Sequence, residues 1–149
     1  MNSSLFRSRT IAVIAIIAVL GLSVVPALAH HSFAMYDTSI EKTLTGKLVR
    51  YVLGANHSQY VMQVVNPDGS LAKDDKGGDL IWNIETAASS QLARQGITVE
   101  SFKIGTVFTV TFSPLRDGRN GGAQRGSGLI MCGMKLPDGG CNEKTGKKY

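Results

Sequence analysis

The sequence predicts an all-β domain with one short helix, arranged as a small five-stranded OB-like β-barrel. Three observations carry this. Five stretches rich in β-branched and aromatic residues recur between clusters of turn residues. One segment between the third and fourth stretches abandons the two-residue period for helix-tolerant residues. Strand, strand, strand, helix, strand, strand is the element order of the OB-fold, a partly open Greek-key barrel. A five-stranded β-sandwich accommodates the same elements and is the alternative.

The first strand covers residues 38–53, with Ile40, Thr43, Thr45, Val49, Tyr51 and Leu53 in rough alternation and Gly46 suggesting a bulge or bend. Gly54, Ala55 and Asn56 turn the chain. The second strand, 57–65, places Tyr60, Met62 and Val64 on one face, and Asn66-Pro67-Asp68-Gly69 closes it. The third, 79–85, holds Trp82 and Ile84 on one face. Thr86 is the expected N-cap of about two helical turns that Gly96 stops. The fourth strand follows, with Phe108, Val110 and Phe112 opposed to Val107, Thr109 and Thr111. Residues 116–128 read as a Gly/Arg-rich loop and 129–136 as the fifth strand. The ends, 30–37 and 142–149, read as flexible.

The first 29 residues read as a cleavable signal peptide. Arg7 and Arg9 form a basic start, residues 11–25 an apolar run, and Ala27-Leu28-Ala29 the small-residue pattern that signal peptidase reads. The run is about 15 residues, short of the roughly 20 that span a bilayer. Cleavage after Ala29 implies a periplasmic or secreted protein whose single domain is 30–149 and which has no membrane contact once the leader is gone. The chain carries a formal net charge of +5, from which the leader's two arginines are lost. That mild basicity and export exclude nucleic acid as the natural partner.

Several phrases occur together in a fixed order: "AHHSFAMYD" at 29–37, Asn56-His57-Ser58, "WNIE" at 82–85, "LARQGIT" at 92–98, and "VTFSPLRDG" followed by Gly121-Gly122. In these the chain is similar to DUF6152, a family of small exported bacterial proteins of unknown function. The resemblance covers nearly all of residues 30–149. It implies an exported single domain and no particular activity, substrate or cofactor. Two features depart from the family's pattern. Ala55-Asn56-His57 stands where Asn-Pro-His is usual, and the pair Cys132 and Cys141 is an addition.

Of the chain's three histidines, two stand at the cleavage point. A cut after Ala29 makes His30 the first residue, with a free α-amine beside its own imidazole. An α-amine has a pKa of about 7.7–8.0, so losing its proton to a metal near neutral pH costs little. The amine and Nδ1 of His30 chelate one ion, and the distant imidazole of His57 completes a three-nitrogen brace. Such tetragonal nitrogen sites suit Cu(II), which also tops the divalent affinity order. His31 competes for the second position, and copper is the one cofactor the sequence suggests. The sequence places strands one and two in a hairpin, so residues 30–40 must run back along the barrel to bring His30 to His57. Phe33, Met35 and Tyr36 offer surface that either pins such a return or simply caps one end of the barrel.

Met131, Cys132 and Met134 offer soft ligands for Cu(I), but the expected fate of Cys132 and Cys141 in an oxidising compartment is a disulfide. Arg116, Arg119 and Arg125 form a candidate anion site over exposed amides, with Asp117 diluting its field. Glu85 is expected to head the helix, where a carboxylate complements the macrodipole. No Ser/His/Asp order, no phosphate-cradling glycine loop and no zinc spacing is present. The sequence therefore describes an exported binding protein for a metal ion or small ligand, without recognisable catalytic machinery. An envelope module that holds a protein or an anion through its barrel face or Gly/Arg loop is the alternative.

Overall fold

The computed structural model describes residues 33–149, so the leader, His30 and His31 lie outside the described residues. After a single 3-10 turn at Phe33–Met35 come β1 (Lys42–Val52), β2 (Ser58–Val64), β3 (Ile81–Thr86), helix α1 (Ser89–Arg94), β4 (Val107–Pro114), β5 (Gly121–Gly133) and β6 (Lys147–Lys148). β1 pairs antiparallel with both β2 and β4, β2 with β3, and β4 with β5. A parallel pairing of β3 with β5 closes the circuit, matching Asn83, Ile84 and Glu85 to Gly121, Gly122 and Ala123. The result is a closed five-stranded mixed barrel of OB-like connectivity, and closure excludes the sandwich.

Closure depends on small residues at the seam. A Cβ on Gly122 would stand 2.2 Å from the ring of Phe112 and 2.6 Å from the carbonyl oxygen of Ser113. Inside the barrel lie Leu48, Tyr60, Met62, Ile84, Phe108, Val110, Phe112 and Leu129. Leu92 of α1, with Ile97 and Phe102 just beyond it, joins that core. Phe102 lies edge-on to Tyr60 at 5.1 Å and to Phe108 at 5.0 Å, geometry that aromatic quadrupoles favour. Trp82 is half-buried rather than central, packing on Phe112 at 5.2 Å with the ammonium of Lys42 5.4 Å from its ring centroid.

Several expected boundaries shift, each for a tertiary reason. The bulge in β1 falls at Val49, between the pairs of Leu48 and Arg50, and not at Gly46. Gly46 instead lets Met62 pack against the β1 backbone. Thr86 does not cap the helix. It is the last residue of β3, and its hydroxyl donates to Gln124 Oε1 at 2.8 Å while accepting from the Tyr60 hydroxyl at 3.3 Å. Helix α1 starts behind Ala88, with no side-chain cap. Gly96, at φ +80°, follows the helix as expected.

The largest correction is the Gly/Arg-rich stretch. Only 115–120 is loop, and β5 already begins at Gly121. Gly-rich sequence has low intrinsic strand preference, but two partner strands supply the hydrogen bonds that preference lacks. Residues 125–128 form a wide bulge opposite Thr111 alone, between the pairs Phe112–Gln124 and Val110–Leu129.

The described parts of the two ends also differ from expectation. Tyr36 is buried and forms an antiparallel bridge with Leu115. At the other end β6 extends the sheet beside Ile130 and Met131, and the Tyr149 amide donates to the Leu129 carbonyl at 2.9 Å. Cys132 and Cys141 form a disulfide with Cα atoms 5.7 Å apart. This C-terminal segment covers the outer face of β4, where the Thr109 hydroxyl donates to the Cys141 carbonyl at 2.7 Å. That cover is why Val107 and Thr109 are buried as well as the core face.

Three tyrosines make the fold sensitive to alkali. Burial raises the phenol pKa of Tyr51 to about 12 and raises those of Tyr36 and Tyr60 further. For Tyr36 the neighbouring Glu85 carboxylate adds to the effect of burial. The folded chain thus holds these protons more tightly than the unfolded chain, whose phenols titrate near pH 10. Their contribution to stability is complete below about pH 10 and is lost as pH rises through the folded values. Titration followed by tyrosinate absorbance is expected to show these phenols ionising together with loss of near-UV circular dichroism. Smooth ionisation around pH 10 with the fold intact would contradict this.

Candidate functional site

His57 ends the loop between β1 and β2. That loop is tight: a Cβ on Gly54 would lie 1.9 Å from the His57 carbonyl oxygen, so a larger residue could not sit there without displacing His57. The loop is tied to the start of the helix through Ser89 N–H to Gly54 O at 2.9 Å and Ser58 N–H to Ala87 O at 3.0 Å. The His57 side chain is 47% exposed, and its Nδ1 lies 3.3 Å from Glu85 Oε1.

Glu85 is not a helix cap. It sits within β3, opposite Gln59 in the β2–β3 register, with its side chain 22% exposed. Its second oxygen, Oε2, accepts the hydroxyl of Tyr36 at 3.0 Å. Tyr36 reaches it because the entering chain is held against the end of β4. Asp37 N–H donates to Pro114 O at 2.8 Å and Arg116 N–H to Met35 O at 2.9 Å. One carboxylate thereby joins the entering chain to the β1–β2 loop.

Two clefts flank Glu85. The first, about 360 Å³, is lined by His57, Glu85, Gln91, Gln95 and Gln124 among others. The second, about 340 Å³, is lined by Tyr36, Gln59, Asn83, Glu85, Arg119 and Asn120 among others. Carboxamides outnumber charges in both, and Asn83 Nδ2 donates to Gln59 Oε1 at 3.1 Å across the β2–β3 pair. Such walls can hydrogen-bond a polar guest or the hydration shell of a cation.

The three arginines of the candidate anion site each meet a carboxylate of their own. Arg116 lies 3.9 Å from Asp37, Arg119 2.8 Å from Asp117 and Arg125 3.5 Å from Glu41. Arg125 stands in the β5 bulge, where it also donates to the carbonyl of Thr38 at 3.2 Å. The disulfide occupies both cysteines, which removes Cys132 as a thiolate ligand. Of the three candidate metal-binding histidines, His57 alone lies within the described residues. Among those residues no group of three or more His, Cys, Asp or Glu side chains is arranged to hold a metal ion.

The coupling of Tyr36 and His57 through Glu85 is the feature that reading the sequence missed. Its signal was the pairing of "HSQY" with "NIET", which sets Ser58 against Thr86 and Gln59 against Glu85. Counting one residue back from Ser58 puts His57 beside the end of β3.

A family model described as "Family of unknown function (DUF6152)" matches residues 18–124. No curated protein and no solved structure matches the chain.

Proposed function

We propose, from the premise that the chain belongs to the DUF6152 family of unknown function, that it is an exported binding domain which holds Cu(II) through its mature N-terminus and His57. The observation that carries this reading is the Tyr36–Glu85–His57 chain of contacts. A three-nitrogen brace requires the N-terminal segment to return along the barrel towards His57. Tyr36 lies on that return, its hydroxyl on the carboxylate that His57 approaches. Five residues lie between His30 and Tyr36, three of them in the 3-10 turn, so the reach is below the roughly 20 Å that extended chain would span. His30 can then offer its α-amine and Nδ1 as a chelate while His57 supplies the third nitrogen, the donor set that Cu(II) prefers. Glu85 would act on the cation through the His57 ring, whose Nδ1 it faces at 3.3 Å. The carboxamide-lined cleft would give a bound cation polar, water-accessible surroundings.

Mass spectrometry of the exported protein is expected to show a chain beginning at His30. A Cu(II) titration against a competing chelator is then expected to give a submicromolar site that His57→Ala weakens by at least tenfold. Equal affinity in the two proteins would reduce the site to binding by the N-terminal residues alone. A mature chain beginning elsewhere would end the brace.

A further inference from the structure

We infer that Glu85 is the positioning residue of His57, holding the proton of the neutral imidazole on Nδ1 and leaving Nε2 as the nitrogen that binds. The inference rests on the copper reading only for the identity of what Nε2 receives. The tautomer rests instead on the position of the Glu85 carboxylate beside Nδ1.

Neutral imidazole carries one proton, and a neighbouring acceptor decides which nitrogen holds it. Nδ1 is the ring nitrogen that faces a carboxylate, 3.3 Å from Glu85 Oε1, an ion-pair distance short of hydrogen-bond alignment. An ionised carboxylate only accepts hydrogen bonds, so it favours N–H on the side that faces it. Glu85 cannot turn away freely. Its Oε2 is engaged by the Tyr36 hydroxyl at 3.0 Å, and Tyr36 is 4% exposed and anchored through its backbone to Leu115. Its backbone is fixed on both sides, by Gln59 of β2 and by Ala123 of β5. The carboxylate is thus aimed by three strands and by the entering chain. His57, nearly half exposed on a loop, has few other groups to orient it. The arrangement matches the general pattern in which a carboxylate on one imidazole nitrogen orients the other towards a metal and increases its basicity.

Tyr36 then has a defined part. With its hydroxyl on Oε2, replacement of Glu85 by glutamine favours one amide orientation: the carbonyl oxygen keeps the tyrosine and the NH₂ faces His57 Nδ1. An NH₂ donates, so it disfavours a proton on Nδ1 and favours one on Nε2. Glu85→Gln is therefore expected to invert the tautomer while barely changing the shape of the site.

Nitrogen-15 NMR of the imidazole in the metal-free wild-type chain, at a pH where His57 is neutral, tests this directly. The expected result is a pyrrole-type Nδ1 and a pyridine-type Nε2, with Glu85→Gln shifting the population to the opposite form. Tyr36→Phe is expected to shift it in the same direction by less. Cu(II) affinity in Glu85→Gln is expected to fall about ten- to a hundredfold, the range typical of lost outer-shell partners. A wild-type imidazole protonated on Nε2 would overturn the inference. So would a Glu85→Gln variant with unchanged tautomer and unchanged affinity. If the tautomer inverts as described but His57→Ala leaves copper affinity unaltered, the positioning role stands and the copper reading falls.

Discussion

Phe108→Ala is expected to destabilise the fold by about 3–5 kcal/mol, the usual cost of emptying a buried aromatic site. Phe108 is fully buried. It lies opposite Gly46 of β1 and Met131 of β5, and its ring meets Phe102 at 5.0 Å and Tyr60 at 5.9 Å. The ring therefore joins two neighbouring strands to the segment that follows α1. Truncation removes its own burial, two edge-to-face contacts and the filling of the space between them. The strands that carry its neighbours are hydrogen-bonded around a closed circuit, so the hole cannot readily collapse. Domains of this size hold only about 5–15 kcal/mol in total. A urea unfolding curve is expected to show a much lower midpoint with a similar slope. A loss below about 1 kcal/mol would mean that the aromatic cluster is not what holds the barrel together.

Removing the disulfide is the second large effect. Replacing Cys132 and Cys141 together by serine is expected to cost about 2–3 kcal/mol, from the chain entropy that a loop of this length returns to the unfolded state. The sequence separation is 9 residues. The effect is expected to be local as well as global. Cys141 is buried, its carbonyl accepts the Thr109 hydroxyl, and the chain beyond it forms β6. β6 has two residues and one partner strand, too little to hold itself in place. Amide exchange at Tyr149, whose N–H donates to Leu129, is expected to accelerate in the double variant by more than the global loss explains. Equal acceleration at Tyr149 and in the β1–β2 hairpin would show that the C-terminal cover is held by the barrel and not by the cross-link.

Both variants leave His57, Glu85 and Tyr36 in place. They therefore separate damage to the scaffold from damage to the site.

The barrel was legible because its signals are local. Alternation at Tyr60, Met62 and Val64, the turn at Asn66-Pro67-Asp68-Gly69 and the break in period after Glu85 each need only a few residues to declare themselves. The errors cluster where a distant strand supplies what local sequence lacks. Gly121-Gly122-Ala123 reads as loop because glycine has no side chain to pack, yet at the seam only a missing side chain lets β3 and β5 meet over Phe112. Thr86 reads as a helix cap because its hydroxyl can bond a backbone amide, yet Gln124 and Tyr60 reach it first. The tail from 142 reads as frayed because it is polar, yet a cross-link and a strand edge hold it.

The same division runs through the candidate site. Sequence by itself determined the order of the five barrel strands with the helix between the third and fourth, and the cysteine pair able to bond. Each is a matter of residue type and spacing along the chain. Tertiary structure alone decided that the seam closes, that Glu85 lies beside His57 instead of capping α1, and that Tyr36 meets the same carboxylate. Tyr36 and Glu85 are 49 residues apart in the chain, and nothing in either neighbourhood encodes the other. They meet because strands β2, β3 and β5 share one register, and register is set by the packing of the whole barrel.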